Sequence, residues 1–398
     1  MTNSAIEALK NQLNELTQSQ TKTRKDFDDT LAYIEYLLPL SKLNVRFNIL
    51  KDRLEIDGKP ADYTNLRRAI VKEFGYGLPI NERQYVLSWY LQNKPYDPIR
   101  AYLDSLPDTA KISPQQHIAK IFKLDETSFD TTLILTNLLG AVYRGYEPGC
   151  KMDSVLVLIG NQGQKKSTVF KALMPDEDLF VEPKKQRNDV HDMQVFHQHW
   201  FVNMSELGIM FSRKSIEEVK DFITSEKDVM VKPYAPEPKT YYRQFILVGS
   251  TNEDELFRDD ENRRFHCVKM AYDTVFDIEY AKANRNDLWA GLKQLWSQGV
   301  PYYFEQNSPE AELVKERNLL FREESPFAER LQMYLKYHGD KPFKLAHCAE
   351  KVLEYSAEDY KKQKQLKTEL KALGYESRRF RLDGMQLRMW CHKSYQLS

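Results

Sequence analysis

The chain has 398 residues with 41% hydrophobic and 29% charged side chains, and its 58 Lys plus Arg balance its 58 Asp plus Glu. This composition excludes fibrous and intrinsically disordered proteins, and the length favours two or three domains. No segment is apolar over the roughly 18 residues that a membrane span needs, so we expect a cytoplasmic protein without a membrane partner. Because the net charge is zero, any attraction to nucleic acid must come from local basic patches.

Residues 1–147 are predicted to form a mostly helical N-terminal domain. Residues 5–38 have the pattern of one long helix, since apolar side chains recur at three- and four-residue spacings from Ile6 to Leu16. This helix is expected to pack as part of a domain or to form a coiled coil. Two short strands at 45–50 and 53–56 predict a hairpin, and apolar-periodic helices follow to about Arg144.

Residues 148–300 are predicted to form an α/β domain. Pro and Gly in the segment EPGCK interrupt the helical pattern just before the apolar run Val155–Ile159. The segments WFVNM and FILVGS, at 200–204 and 245–250, have the composition of further buried strands. Apolar strands that alternate with helices indicate a parallel sheet covered by helices.

Residues 301–398 are predicted to form a helical, winged-helix-like domain. The pattern gives helices at 345–355 and 357–373 and then two short strands around Asp383-Gly384, which is the order of a winged helix. Basic residues outnumber acidic ones strongly after Tyr360. The segment therefore suits duplex DNA, with Arg378, Arg379 and Arg381 on the wing, although a solvated basic helix would have the same composition.

A phosphate-binding loop is indicated directly after the first buried strand of the α/β domain. The sequence GNQGQKKST, Gly160 to Thr168, leads into the helical VFKAL and is close to the pattern G-x-x-x-x-G-K-[ST]. Backbone N–H groups of such a loop surround phosphates, Lys166 would reach the β- and γ-phosphates, and the Ser167 hydroxyl would bind Mg²⁺. We assign ATP binding to Gly160, Gly163, Lys165, Lys166, Ser167 and Thr168. A lysine-rich turn that binds no nucleotide is the alternative.

Three later segments carry polar residues that such a site uses. Glu206 follows the strand WFVNM and is a candidate for activating water or holding Mg²⁺. Asn252 ends the next buried strand, where its amide would orient water near a γ-phosphate. Arg263 and Arg264 are adjacent, and an arginine inserted at a neighbouring subunit's γ-phosphate stabilises charge in many ATPases. Each of these residues alone is also common on ordinary surfaces.

The order of P-loop, strand-end Glu, strand-end Asn and Arg is that of a ring ATPase, and the chain resembles the virulence-associated protein E family. Members of this family look like superfamily 3 helicases of phages and mobile genetic islands. The resemblance is specific from about Pro148 to Cys267, over PGCK, GNQGQKKST, MSEL, GSTNEDELFRD and NRRF. Two positions depart from the family pattern, with Lys165 replacing a Gly and Asn203 replacing an acidic residue.

The resemblance implies an AAA+ P-loop core that uses ATP and Mg²⁺. Lys166, Ser167 and Thr168 match Walker A, Glu206 the catalytic acid of Walker B, Asn252 the sensor, and Arg263 or Arg264 the arginine finger. A hairpin between the Walker B and sensor strands would grip single-stranded DNA through Lys232, Lys239, Tyr241, Tyr242 and Arg243.

The expected protein is a homo-hexameric ATP-driven DNA helicase in a bacterial host, with residues 1–147 as a collar for oligomerisation. It would thread single-stranded DNA, contact origin duplex DNA, and depend on a separate primase. An ATP-binding origin-recognition or regulatory protein with little unwinding activity is the alternative, favoured by Lys165 and Asn203.

Overall fold

The computed structural model describes residues 22–183, 189–205, 216–231, 237–252, 263–321, 327–339, 341–354, 358–382 and 385–395. The long helix expected at 5–38 is wrong over residues 22–29, and its first part lies outside the described residues. Thr23 N donates to the Asp26 carboxylate around a short 3₁₀ turn, and Phe27 is extended. Helix α1 then begins at Thr30, because the Asp29 side chain accepts the Ala32 N–H and caps it.

The predicted hairpin near residue 50 is confirmed, and it belongs to a larger sheet. Val45 pairs with Ile56 in antiparallel register, and the strand order is β3-β2-β1-β4. Helices cover this sheet and close a core that contains Tyr33, Phe47 and Tyr90. The elements are α1 Thr30–Leu40, β1 Val45–Asn48, β2 Arg53–Ile56, β3 Lys59–Ala61, α2 Tyr63–Phe74, α3 Arg83–Asn93 and β4 Pro95–Tyr96.

The expected parallel sheet is confirmed as five strands in the order β11-β5-β10-β7-β6. Strand β10 lies between β5 and β7, so Thr251 pairs with Ile159 on one side and Ser250 with Ser205 on the other. The carboxyl ends of these three strands therefore meet at one edge. The strands are β5 Val155–Ile159, β6 Phe180–Val181, β7 Phe201–Ser205, β10 Ile246–Thr251 and β11 Phe265–Lys269.

Helices pack on both faces of this sheet, and they extend its core beyond the domain boundaries predicted at 147/148 and 300/301. One core cluster runs from Leu50 and Ile99 through Trp200 to Trp289, and Phe321 belongs to the cluster on the other face. Two further core clusters are separate from these, one containing residues from Tyr33 to Tyr90 and one containing residues from Phe327 to Trp390. The helices are α4 Pro98–Ser105, α5 Pro114–Phe122, α6 Phe129–Tyr146, α7 Lys166–Leu173, α8 Asp189–Phe196, α9 Ile216–Thr224, α10 Ile278–Ser297 and α11 Pro309–Leu319.

Two antiparallel hairpins complete the described fold. The first, β8 Lys227–Met230 with β9 Lys239–Tyr242, stands between β7 and β10 in sequence. The second, β12 Tyr375–Leu382 with β13 Met385–His392, follows the helices α12 Ala328–His338, α13 Leu345–Leu353 and α14 Tyr360–Ala372. The predicted order of helix, helix and hairpin is therefore observed. Within the described ranges, no helix has the length and apolar character needed to cross a membrane.

Candidate functional site

The glycine-containing loop connects the carboxyl end of β5 to the start of α7. Two of its residues have left-handed backbone angles, Gly163 with φ +90° and Lys165 with φ +65° and ψ +32°. Lys165 stands at the N-cap of α7, where the usual P-loop pattern has glycine. A side chain in this conformation costs roughly 1–2 kcal/mol. The loop thus has a glycine-like backbone at position 165 in spite of its lysine.

Gly160 is required by close packing inside the loop. A Cβ atom at this position would lie 2.0 Å from Gln164 Oε1. Gln164 has little room to move, because it is 3% exposed and its Nε2 donates to the carbonyls of Ala271 at 2.6 Å and Tyr272 at 3.2 Å. The loop is thereby fixed to the segment that follows β11.

Lys166 lies at the centre of the site. Its Nζ donates to Gly160 O at 2.6 Å, Asn161 O at 2.7 Å and Asn252 Oδ1 at 2.7 Å, which uses all three ammonium hydrogens. Burial lowers the pKa of this ammonium below its usual range. The predicted P-loop lysine and sensor asparagine are therefore in direct contact.

The Ser167 hydroxyl lies among polar groups from three strands. Its Oγ lies 3.2 Å from Glu182 Oε1, 3.0 Å from Asn203 Nδ2 and 3.3 Å from Ser250 Oγ. Glu182 was not predicted, because the strand before it, β6, has only two residues and leaves no recognisable apolar run. The signal that could have found it is a carboxylate just after a strand, which is the reasoning applied to Glu206. Glu206 itself lies outside the described residues.

The polar groups around the Ser167 hydroxyl are suited to binding Mg²⁺. A serine hydroxyl and a carboxylate are the hard oxygen ligands that Mg²⁺ prefers, and the buried Asn203 Oδ1 lacks a hydrogen-bond partner among the described residues. The described part of the chain holds no cluster of three His, Cys, Asp or Glu that would bind a metal by itself. A cation here would depend on phosphate and water ligands, which is the usual way in which Mg²⁺ binds with nucleotides.

A cleft of about 630 Å³ opens above these side chains. Its volume lies in the range of about 300–1,000 Å³ that is typical of small-molecule sites. All the predicted P-loop side chains from Lys165 to Thr168 line it, together with Gly163 and Asn252. The structure therefore brings five of the six residues assigned to ATP binding, all except Gly160, and the predicted sensor residue to one cavity.

Arg263 and Arg264 lie at the opposite end of the sheet. Arg264 O accepts the N–H of Val155, the first residue of β5, whereas the P-loop follows Ile159. At about 3.3 Å per residue the two ends are roughly 17 Å apart, which is more than an arginine side chain can span. Both arginines line a separate cavity of about 450 Å³. Neither of them can therefore reach the cleft of its own chain in this conformation.

The first hairpin places only part of the predicted DNA-binding set on its surface. Lys239 and Tyr242 are exposed, and Lys227 pairs with Tyr242 on the same exposed face. Tyr241 faces the other side, with its ring 5.7 Å from that of His197. Lys232 lies outside the described residues.

The assignment of Arg243 to a DNA-binding surface is wrong in this structure. Arg243 is only 2% exposed. Its guanidinium donates twice to the Asp228 carboxylate at 2.7 Å and once to Phe222 O. All of these hydrogen bonds point to the interior, so Arg243 anchors the base of the hairpin.

The second hairpin carries the three predicted arginines on two different faces. Arg379 and Arg381 are exposed, and Arg388, directly opposite Arg379, joins them on the same face. Arg378 points to the other face, where its guanidinium donates to the carbonyls of Lys393 and Tyr395 and to the Glu376 carboxylate. Three of its five N–H donors are therefore used within the chain, and Arg378 lies apart from the face that carries the exposed arginines.

Comparison with known proteins gives a family and a fold. A family described as Virulence-associated protein E-like domain matches residues 103–323. The apo structure of the NrS-1 C-terminal region, residues 305–718, is 13% identical with a TM-score of 0.51, covering 92% of this chain and all of that one. A structure titled SCCmec type IV Cch, active helicase, is 12% identical with a TM-score of 0.29, covering 83% of this chain and 69% of that one. No curated protein matches. The matched residues make up more than half of this chain, and the chain therefore belongs to the virulence-associated protein E-like family.

Proposed function

We propose that this protein is an ATP-driven DNA helicase of phage or mobile-element replication, with an AAA+ core that works as a ring on single-stranded DNA. The observation that carries the proposal is the contact of Lys166 Nζ with Asn252 Oδ1 at 2.7 Å inside the 630 Å³ cleft. A lysine at a helix N-terminus binds phosphates in P-loop ATPases, and a nearby side-chain amide can orient the attacking water.

The residues of the cleft have complementary roles in ATP binding and hydrolysis. The Lys166 ammonium would exchange its carbonyl partners for phosphate oxygens, and the N–H groups at the start of α7 would bind the same phosphates. Bound Mg²⁺ would offset charge on the β- and γ-phosphates. Asn252 would hold the attacking water, and Glu206, which follows Ser205 at the cleft wall, would take its proton.

One strand connects the nucleotide cleft with the first hairpin. Strand β9 ends at Tyr242, only Arg243 to Phe245 intervene, and β10 then runs from Ile246 to the residue before Asn252. A shift of Asn252 on hydrolysis would therefore be transmitted along β10 to the base of the hairpin. Tyr242 and Lys227, side by side on the exposed face, offer a stacking surface and a positive charge for one nucleotide.

Phosphate release with and without single-stranded DNA tests the proposal, together with displacement of a strand from a fork. We expect turnover that single-stranded DNA stimulates, no ATP binding in Lys166→Ala, and ATP binding without turnover in Glu206→Gln. Lys171→Ala is the matched control, since Lys171 lies on the same helix but pairs with the exposed Glu177 outside the cleft. It should behave as wild type.

The outcomes separate a motor from an ATP-binding switch. Lys165 and Asn203 depart from the family pattern at the loop and at the Walker B strand, and we expect both departures to slow hydrolysis more than they weaken ATP binding. A wild-type rate equal to that of Glu206→Gln, in protein that binds ATP, would refute the helicase and favour the regulatory alternative. Rings around a threaded strand in electron microscopy with ATP and a DNA fork would support the hexamer.

A further inference from the structure

Glu182 is the one carboxylate among the described residues that line the nucleotide cleft. It follows β6, the outermost strand of the parallel sheet, and its Oε1 accepts a hydrogen bond from Ser167 Oγ at 3.2 Å. No described Lys or Arg forms an ion pair with it, although Lys165 and Lys166 line the same cleft. A half-buried carboxylate that has no cation partner among the described residues, and that lies beside the loop, is well placed to receive a cation that arrives with the nucleotide.

Asn203 on β7 is uncharged, so a carboxylate that binds a cation at this site has to come from another part of the sheet. This side chain is fully buried on β7, and its Nδ2 donates to Ser167 Oγ at 3.0 Å and Ser250 Oγ at 3.2 Å. A neutral amide adds no negative charge to a cation site, and ligand charge is one of the properties that set affinity for a divalent cation. Strands β6 and β7 are paired neighbours. Glu182 and Asn203 therefore approach the same hydroxyl from adjacent strands.

We propose that Glu182 helps Ser167 to hold Mg²⁺, so that the metal-organising carboxylate comes from the residue after β6 and not from β7. The proposal rests on the function proposed above and assigns a residue that the P-loop pattern does not contain. Mg²⁺ in nucleotide sites uses one or two carboxylates together with phosphates and water, and a single glutamate satisfies this need. Glu206 is then left for the separate role of accepting a proton from water.

The test measures binding of a non-hydrolysable ATP analogue by calorimetry over a range of Mg²⁺ concentrations. Glu182→Gln should bind the analogue without Mg²⁺ at least as tightly as wild type, because a negative charge near the triphosphate is gone. It should need about tenfold more Mg²⁺ to reach full affinity, at the lower end of the 10–100-fold loss that removal of a supporting carboxylate causes. Glu177→Gln is the matched control, since Glu177 pairs with Lys171 outside the cleft, and its Mg²⁺ requirement should equal that of wild type.

A rescue variant separates a missing charge from a damaged fold. Asn203→Asp combined with Glu182→Gln returns one carboxylate to the same hydroxyl from β7, and this double variant should recover most of the Mg²⁺ affinity. Mn²⁺ bound in the analogue complex, followed by electron paramagnetic resonance, should show weaker binding in Glu182→Gln alone. An unchanged Mg²⁺ requirement in Glu182→Gln would overturn the proposal. This holds even if the variant loses turnover, because Glu182 would then act as a base and not as a metal ligand. Failure of wild type to bind the analogue at any Mg²⁺ concentration would refute the proposed function as well.

Discussion

Lys166 Nζ and Asn252 Oδ1 are 2.7 Å apart, although 86 residues separate them along the chain. The contact exists because β10 is inserted next to β5, so that the residue after β10 lies beside the loop after β5. One side chain carries the positive charge that phosphate requires, and the other carries a neutral amide that can bind water. A negative charge in place of the Asn252 amide would therefore weaken the attraction of Lys166 for phosphate.

We predict that Asn252→Asp lowers ATP affinity on the order of tenfold, whereas Asn252→Ala leaves it nearly unchanged. The aspartate would form an ion pair with Lys166 and would repel the triphosphate, at a cost of about 1.4 kcal/mol for each factor of ten. Calorimetric titration of ATP without Mg²⁺ measures the effect without a contribution from hydrolysis. Equal affinities for the two variants would mean that Asn252 leaves Lys166 when the nucleotide binds.

We predict that Lys165→Gly stabilises the free protein by about 1 kcal/mol relative to Lys165→Ala, because Lys165 has φ +65°. The two variants remove the same charge and differ in the Cβ atom, so their difference in the free energy of unfolding isolates the backbone. Urea denaturation of both variants without nucleotide gives this difference. If alanine were as stable as glycine, the left-handed conformation at residue 165 would not be the one adopted in solution.

The sequence predicted the central strands of the sheet well, because β5, β7 and β10 are buried apolar runs that end in polar residues. It did not predict Glu182, because a two-residue strand has no periodicity. Nor did it show that Arg243 points inward, since this depends on Asp228, which lies on the partner strand of the hairpin and meets Arg243 only when the hairpin folds. The domain boundary at 147/148 missed a signal that was present, namely that α6 is apolar around most of its circumference and must be buried on several sides.

The Asp228–Arg243 pair should make stability depend on pH. Burial alone would raise the pKa of Asp228, but hydrogen bonds from Arg243 and His197 outweigh it and lower the pKa to about 2. Because this value is below that of the unfolded chain, about 3.9, the contribution is present above pH 4 and is lost as the pH falls towards 2. Its size is on the order of 2–3 kcal/mol.

Asp228→Asn should therefore destabilise the protein by about 3–5 kcal/mol at pH 7, since Arg243 remains buried without its partner charge. The difference from wild type should become smaller as the pH falls from about 4 towards 2. Asp153→Asn is the control, because Asp153 pairs with Lys151 on the surface and should contribute at most about 1 kcal/mol. A pH-independent difference for Asp228→Asn would contradict the lowered pKa.

The face of the second hairpin that carries Arg379, Arg381 and Arg388 should bind phosphate. Arg379 lies directly opposite Arg388, and like charges in such a cross-strand pair destabilise the free protein. Replacing all three with Ala should weaken duplex DNA binding and reduce the dependence of log K on log salt by about 0.9 for each phosphate that the protein no longer neutralises. Arg378→Ala is the control on the opposite face and should leave the salt dependence unchanged. An equal effect of both changes would show that the hairpin binds DNA through another surface.

The position of Arg263 and Arg264 leads to a prediction about assembly. They stand beside the first residue of β5, roughly 17 Å along the sheet from the loop that follows its last residue. If they stabilise a γ-phosphate, that phosphate must belong to a neighbouring subunit. Lys166→Ala and the double variant Arg263→Ala/Arg264→Ala should each lack ATPase activity when they assemble alone.

Mixing the two inactive proteins should restore part of the activity, because some interfaces then combine an intact P-loop with intact arginines. With random mixing in equal amounts, about a quarter of the interfaces would be complete. A complete interface needs one subunit with an intact P-loop and a neighbour with intact arginines, and each of these has a probability of about one half. Phosphate release by the mixture, with mixed assemblies confirmed by native mass spectrometry, measures this recovery. Lys166→Ala mixed with Glu206→Gln is the control, because both changes affect the same side of the interface and no complete site can form if Glu206 acts in its own chain. A mixture of Lys166→Ala with the arginine variant that stays as inactive as this control would exclude a site shared between subunits.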